Sequence, residues 1–251
     1  MYTHKYLIHL SFLGTDYSGW QIQDNAKSIQ GQIMEALNKL LDKKIPLIVG
    51  AGRTDAGVHA INFFAHFECN KIDVIDLKYK LNRFLPKDIC IHKIINVPHD
   101  FHARYSAISR QYEYWISIVK DPFLIDRVYF FNQELDIELM NKASKKLIGT
   151  QDFSAFSKSR KKNNLCNVKS AIWYKSKNIL IFSIEADRFL YNMVRCIVGT
   201  LIDVGIHKIN IDDFLAIRNS HNRDQAGYSA PASGLYLTNV KYSNKIHFES
   251  I

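Results

Sequence analysis

At 251 residues, with 47% hydrophobic and 23% charged side chains, the chain can bury a sizeable core and has the composition of a soluble globular protein. No apolar run nears the roughly 18 residues that a bilayer span needs, and four cysteines without a C-x-x-C pair argue against a disulfide framework or a thiolate metal site. A formal net charge of +9 favours a polyanionic partner such as nucleic acid.

The first half reads strand, helix, strand, strand, helix, strand. Lys5 to Leu13 alternates polar and apolar residues, which predicts a strand and not a signal peptide, so a cytoplasmic protein with no membrane partner is expected. Ser28 can cap a helix whose apolar positions Ile29, Ile33, Leu37, Leu40 and Leu41 follow helical spacing. Runs at 45–50 and 58–67 predict a hairpin, Asp73 opens a short helix to Phe84, and Ile89 to Val97 is a further strand. In the second half, Arg110 to Val119 alternates as a strand, Asp136 to Ile148 is a helix ended by Gly149, and Val168–Ser176 with Ile179–Ala186 form a hairpin. Phe189 to Val204 predicts a buried helix, and Leu235 to Tyr242 a last strand. The expected domains are 1–105 and 106–251, two α+β halves in which helices cover one face of a sheet.

Between the runs at 45–50 and 58–67 lies AGRTDAGVHA, Ala51 to Ala60. Gly52 and Gly57 allow a sharp turn and a close backbone approach to a ligand. Asp55 is then presented at the tip, with Arg53 two residues before it. A short loop held by strands is how a scaffold positions a reactive carboxylate, although spacing alone equally fits a plain hairpin turn. On the helix from Phe189, Arg195 is the one charged residue between Leu190 and Ile202. A buried guanidinium needs a carboxylate, and Asp55 is a candidate whose pKa such a pair would lower; a snorkelling Arg195 is the bland alternative. In SRQYEYW, Tyr112, Tyr114 and Arg110 share a strand face suited to stacking on a nucleobase, or to core packing for one of the tyrosines. Lys158, Arg160, Lys161 and Lys162 form a basic cluster that either contacts phosphate or is a solvated loop. His59 and His66 lack a third ligand at useful spacing, and the GTDYSGWQ segment, Gly14 to Gln21, either covers a site or ends a hairpin.

These segments resemble the tRNA pseudouridine synthase A family along essentially the whole chain. The resemblance is carried by GTDYSGWQIQ, AGRTDAGVHA, FHARYSAISRQYEY (Phe101 to Tyr114), FLYNMVRCIVGTLIDVG (Phe189 to Gly205) and APASGLYL (Ala230 to Leu237), in the family's order. It implies isomerisation of uridine to pseudouridine in the tRNA anticodon stem-loop, at positions thirty-eight to forty, without cofactor or metal. It implies Asp55 as nucleophile, Arg195 as the arginine paired with it, Tyr112 as the active-site tyrosine, and Arg53 as the residue handling the flipped-out nucleotide. It further implies pseudo-repeated halves, each mainly an antiparallel sheet with helices on one face, meeting at a central basic cleft, and a homodimer in which one tRNA touches both subunits. Leu13 and Asp187-Arg188 depart from residues common in the family, which bears on local loop contacts only. A synthase of the same fold acting on another RNA, and a non-catalytic RNA-binding protein, are the competing readings.

Overall fold

The computed structural model describes residues 2–42, 45–158 and 163–243. Among them are ten strands, paired mostly antiparallel, and five α-helices. The chain forms two units, Met1–Ile108 with Leu237–Ile251, and Ser109–Tyr236.

In the first unit the strands are β1 (His4–Phe12), β2 (Val49–Gly50), β3 (His59–Cys69) and β4 (Ile89–Val97), joined by β10 (Leu235–Tyr242) from the end of the chain. Their order is β4-β1-β3-β10, with β2 paired to β3. Central β1 is antiparallel to both neighbours. The alternation expected of it is lost, because Leu7 and His9 are buried as well as Tyr6, Ile8 and Leu10. The His9 ring stacks on Phe64 at 4.8 Å, and its Nε2 bonds Asn62 Oδ1 at 2.8 Å. Helix α1 (Ile29–Leu40) starts where the Ser28 hydroxyl accepts the Gly31 N–H, and it buries Ile29, Ile33, Ala36 and Leu37. Helix α2 (Val74–Phe84) is capped by the Asp73 carboxylate and packs Leu77 and Leu81 inward. Such a cap contributes about 1 kcal/mol.

In the second unit β5 (Ala107–Ser117), whose first two residues belong to the other unit, is followed by β6 (Tyr129–Phe130), α3 (Ile137–Ser144), β7 (Gly149–Asp152), β8 (Leu165–Ser176), β9 (Ile179–Ala186), α4 (Met193–Gly205) and α5 (Ile211–Asn219). The order is β5-β9-β8-β7, with β6 parallel to β5. Helix α4 begins four residues later than the sequence pattern suggests, because Asn192 takes the left-handed conformation at φ 64°. Helix α5, which buries only Phe214, is set by a capping box between Asn210 and Asp213.

Candidate active site

The loop around Asp55 belongs to the first unit. Strand β2 pairs Val49 with His66 and Gly50 with Ala65, and Ala51 N–H donates to the Phe64 carbonyl at 2.7 Å. The chain then leaves the sheet and re-enters it at His59. Asp55 therefore lies in a wide excursion and not at a tight hairpin tip.

The excursion is clamped by the loop 14–20. Trp20 N–H donates to the Thr54 carbonyl at 3.3 Å, and Gly57 N–H to the Tyr17 carbonyl at 3.2 Å. Gly14 N–H donates to His59 Nδ1 at 2.9 Å. Two glycines make this approach possible: a Cβ on Gly14 would sit 2.0 Å from the Val58 oxygen, and one on Gly19 2.2 Å from the Thr54 oxygen. The clamp is itself anchored in the core. Trp20 stacks on Phe63 at 4.3 Å, and the Tyr17 hydroxyl donates to Asp88 Oδ1 at 2.7 Å. Burial, reinforced by the Asp88 carboxylate, pushes the Tyr17 hydroxyl above its usual range. The segment Gly14–Gln21 thus does not end a hairpin; it is the bracket of the Asp55 loop.

Within the loop, Gly57 has φ +77° and supports the expected turn. Gly52 has neither a positive φ nor any atom within 4 Å of a Cβ position, so no protein contact requires a glycine there. Asp55 is half-buried and Arg53 is exposed. The result is a backbone fixed at several points around Asp55. His59 and His66 are buried acceptors of backbone N–H groups, from Gly14 and from Ala103 at 3.1 Å, so each carries its proton on Nε2 when neutral. Among the described residues no group of three or more His, Cys, Asp or Glu could hold a metal ion.

The other candidate residues lie in the second unit. On β5, Arg110, Tyr112 and Tyr114 face Ala186, Ile184 and Phe182 of β9 in register. Tyr114 is fully buried and donates to the Pro231 carbonyl at 2.8 Å; burial raises its pKa. Tyr112 is half-buried, its ring edge-on to Phe189 at 5.0 Å. One tyrosine of the pair is therefore core, and the other is only partly buried. Arg110 donates to the Asp187 carbonyl at 2.9 Å.

On α4 every residue but Arg195 is buried. Arg195 is half-buried and its Nε donates to the Ala230 carbonyl at 2.6 Å, while Ala230 N–H donates to the Arg195 carbonyl at 3.0 Å. This reciprocal pair fixes the start of the guanidinium. It is a role of the APASGLYL segment that sequence pattern could not reveal, since the partner lies 35 positions away. Asp187 accepts the Asn167 and Arg188 N–H groups at 2.8 and 2.7 Å. Lys158 is exposed beside Tyr191, to whose carbonyl its N–H donates at 3.3 Å. Arg160, Lys161 and Lys162 lie outside the described residues.

The family model described as tRNA pseudouridine synthase matches residues 9–106 and 143–243. The chain is 45% identical to the tRNA pseudouridine synthase A of Bacteroides fragilis, over 98% of this chain and 99% of that one. It is 45% identical to the protein of the same name from Parabacteroides distasonis, over 96% and 97% of the two chains. The Acetivibrio thermocellus protein of that name is 44% identical, over 93% and 97%. On the strength of this match along both units, the chain belongs to the tRNA pseudouridine synthase A family.

Proposed function

We propose that this tRNA pseudouridine synthase, an isomerase, acts on uridines thirty-eight, thirty-nine and forty of the anticodon stem-loop, with Asp55 as nucleophile. The observation that supports the assignment is the clamped Asp55 loop, in which glycine-dependent backbone contacts from residues 14–20 brace the segment that carries this half-buried aspartate. The reaction breaks the ribose C1′–N1 bond, turns the uracil and joins C1′ to C5, which loses its proton while N1 gains one. It is redox-neutral. The target base must first leave its stack, at about a few kcal/mol; Arg53 is exposed at the loop, and in this reading it meets phosphate.

Asp55 acts as an ionised carboxylate, either by attacking C1′ or by taking a proton from the ribose. Arg195 is the cation that favours the ionised form. Tyr112 stacks on the detached uracil, and its hydroxyl is suited to the C5 proton. The backbone of the RNA meets Arg110, Lys158 and the cluster 160–162 as phosphate contacts. A homodimer in the cytoplasm, each tRNA touching both subunits, completes this reading and rests on family resemblance.

Tritium release from tRNA labelled at uracil C5 tests it. Wild type releases label; Asp55→Asn releases none yet binds tRNA within about tenfold of wild type. Equal loss of binding and release in the variant would refute a purely chemical role for Asp55. No release by folded wild type would transfer the activity to another RNA.

A further inference from the structure

The turn at 101–106 presents an ordered aromatic ring to solvent. Tyr105 is 77% exposed, yet its ring lies on that of His102, with centroids 4.3 Å apart and planes 33° apart. His102 is itself fixed. Its Nδ1 accepts the N–H groups of Arg104 and Tyr105 at 3.2 and 3.3 Å. Its N–H donates to Ser106 Oγ at 3.0 Å, and its carbonyl accepts the Ser106 N–H at 2.9 Å. Its ring meets buried His66 edge-on at 4.8 Å, and His66 in turn accepts the Ala103 N–H. The Arg104 guanidinium stands 5.7 Å from the Tyr105 ring centroid. A single exposed tyrosine needs no explanation. A tyrosine held against an anchored ring, largely exposed and with a guanidinium over it, is different. A base stacking there orders nothing that is not already ordered.

We propose that Tyr105, backed by His102 and flanked by Arg104, is a nucleobase-stacking subsite for an unpaired base of the RNA substrate. The π face takes the base in a sequence-tolerant way, and Arg104 adds a charge-assisted contact to the adjoining phosphate. The subsite is separate in sequence from the Asp55 loop and acts in binding, not in bond rearrangement. It rests on the reading that this chain modifies RNA.

The test uses the full-length protein and labelled tRNA, comparing wild type with Tyr105→Ala, Tyr105→Phe and Arg104→Ala. Tyr105→Ala raises KM and the tRNA dissociation constant about 5- to 100-fold, as loss of one stacked base does, while kcat stays within about twofold. Tyr105→Phe, which keeps the ring, stays close to wild type, and Arg104→Ala weakens binding and flattens its salt dependence. Unchanged binding by Tyr105→Ala overturns the proposal, as does a phenylalanine variant as weak as the alanine one. A changed oligomeric state in sedimentation, with RNA binding intact, also overturns it and makes the ring a protein contact. Inactive wild type refutes the RNA-modification reading instead; active wild type with an indifferent Tyr105 refutes only the subsite.

Discussion

At Gly19 the chain has φ +92°, and the space that a Cβ would occupy lies 2.2 Å from the Thr54 carbonyl oxygen. Both facts act on the residue next to Asp55. An alanine there must adopt a backbone conformation that L side chains rarely take, and it must also push away the loop that carries the carboxylate. Gly19→Ala is expected to cost about 1–3 kcal/mol of stability and at least about tenfold in kcat, since small misplacement of a reacting group is enough for that. Gly52→Ala is the matched control: it adds a methyl where nothing lies within 4 Å, so its melting temperature should stay at the wild-type value. Thermal denaturation and single-turnover rates of the two variants check this. Equal rates for Gly19→Ala and wild type would mean that the loop does not depend on its bracket.

Helix α4 shows the same logic at the scale of an element. It is buried nearly all round, and the segment 226–231 runs against it so closely that a Cβ on Gly199 would sit 1.8 Å from the Tyr228 carbonyl oxygen. Gly227 N–H donates to Thr200 Oγ1 at 3.0 Å, and Asn192 Nδ2 donates to Ser229 Oγ. Alanine in a helix interior normally gains about 1 kcal/mol over glycine. Here the clash reverses the sign. Gly199→Ala is expected to destabilise by about 1–3 kcal/mol net and to move Ala230 away from Arg195, so that activity falls with the melting temperature. A melting temperature at or above wild type would mean that the close approach of segment 226–231 does not limit the residue at 199. Sequence pattern reached much of this level: α1 and α2 with their Ser28 and Asp73 caps, β4 and β10 to the residue, and the β8–β9 hairpin follow from local periodicity and capping. What it missed is non-local. The start of α4 depends on one left-handed Asn192, and the shape of the Asp55 loop depends on backbone contacts with Gly14 and Gly19. Residue types cannot encode a distance between two backbones. The same limit separates Tyr112 from Tyr114, which share a strand face but differ in burial, the second being sealed in the core with its hydroxyl on the Pro231 carbonyl.

For the whole molecule, charge and protonation are coupled through the histidines. The formal charge of +9 takes all ten histidines as neutral, and for several of them the fold enforces that state. His9, His66, His92 and His102 all have lowered pKa values, with burial the leading cause in each case. His66 is the clearest: burial, then the nearby His102 and Lys5 charges, bring it from 6.5 to about 4, with Glu68 opposing. In the folded chain His66 takes up its proton only near pH 4, whereas unfolded it does so near 6.5, so unfolding between these values binds protons. Stability from this group is complete above pH 6.5 and falls as the pH drops toward 4; at 6% exposure the loss is on the order of 3 kcal/mol. The urea midpoint measured from pH 7 down to 4.5 should therefore decline steadily. His66→Asn keeps an acceptor for the Ala103 N–H but cannot charge, so it should flatten the decline even if it lowers the midpoint at pH 7. A variant as acid-sensitive as wild type would shift the effect to the other three histidines. Because His66 also buttresses His102 beneath Tyr105, acid that charges this pair should weaken tRNA binding before the chain unfolds, despite the added positive charge.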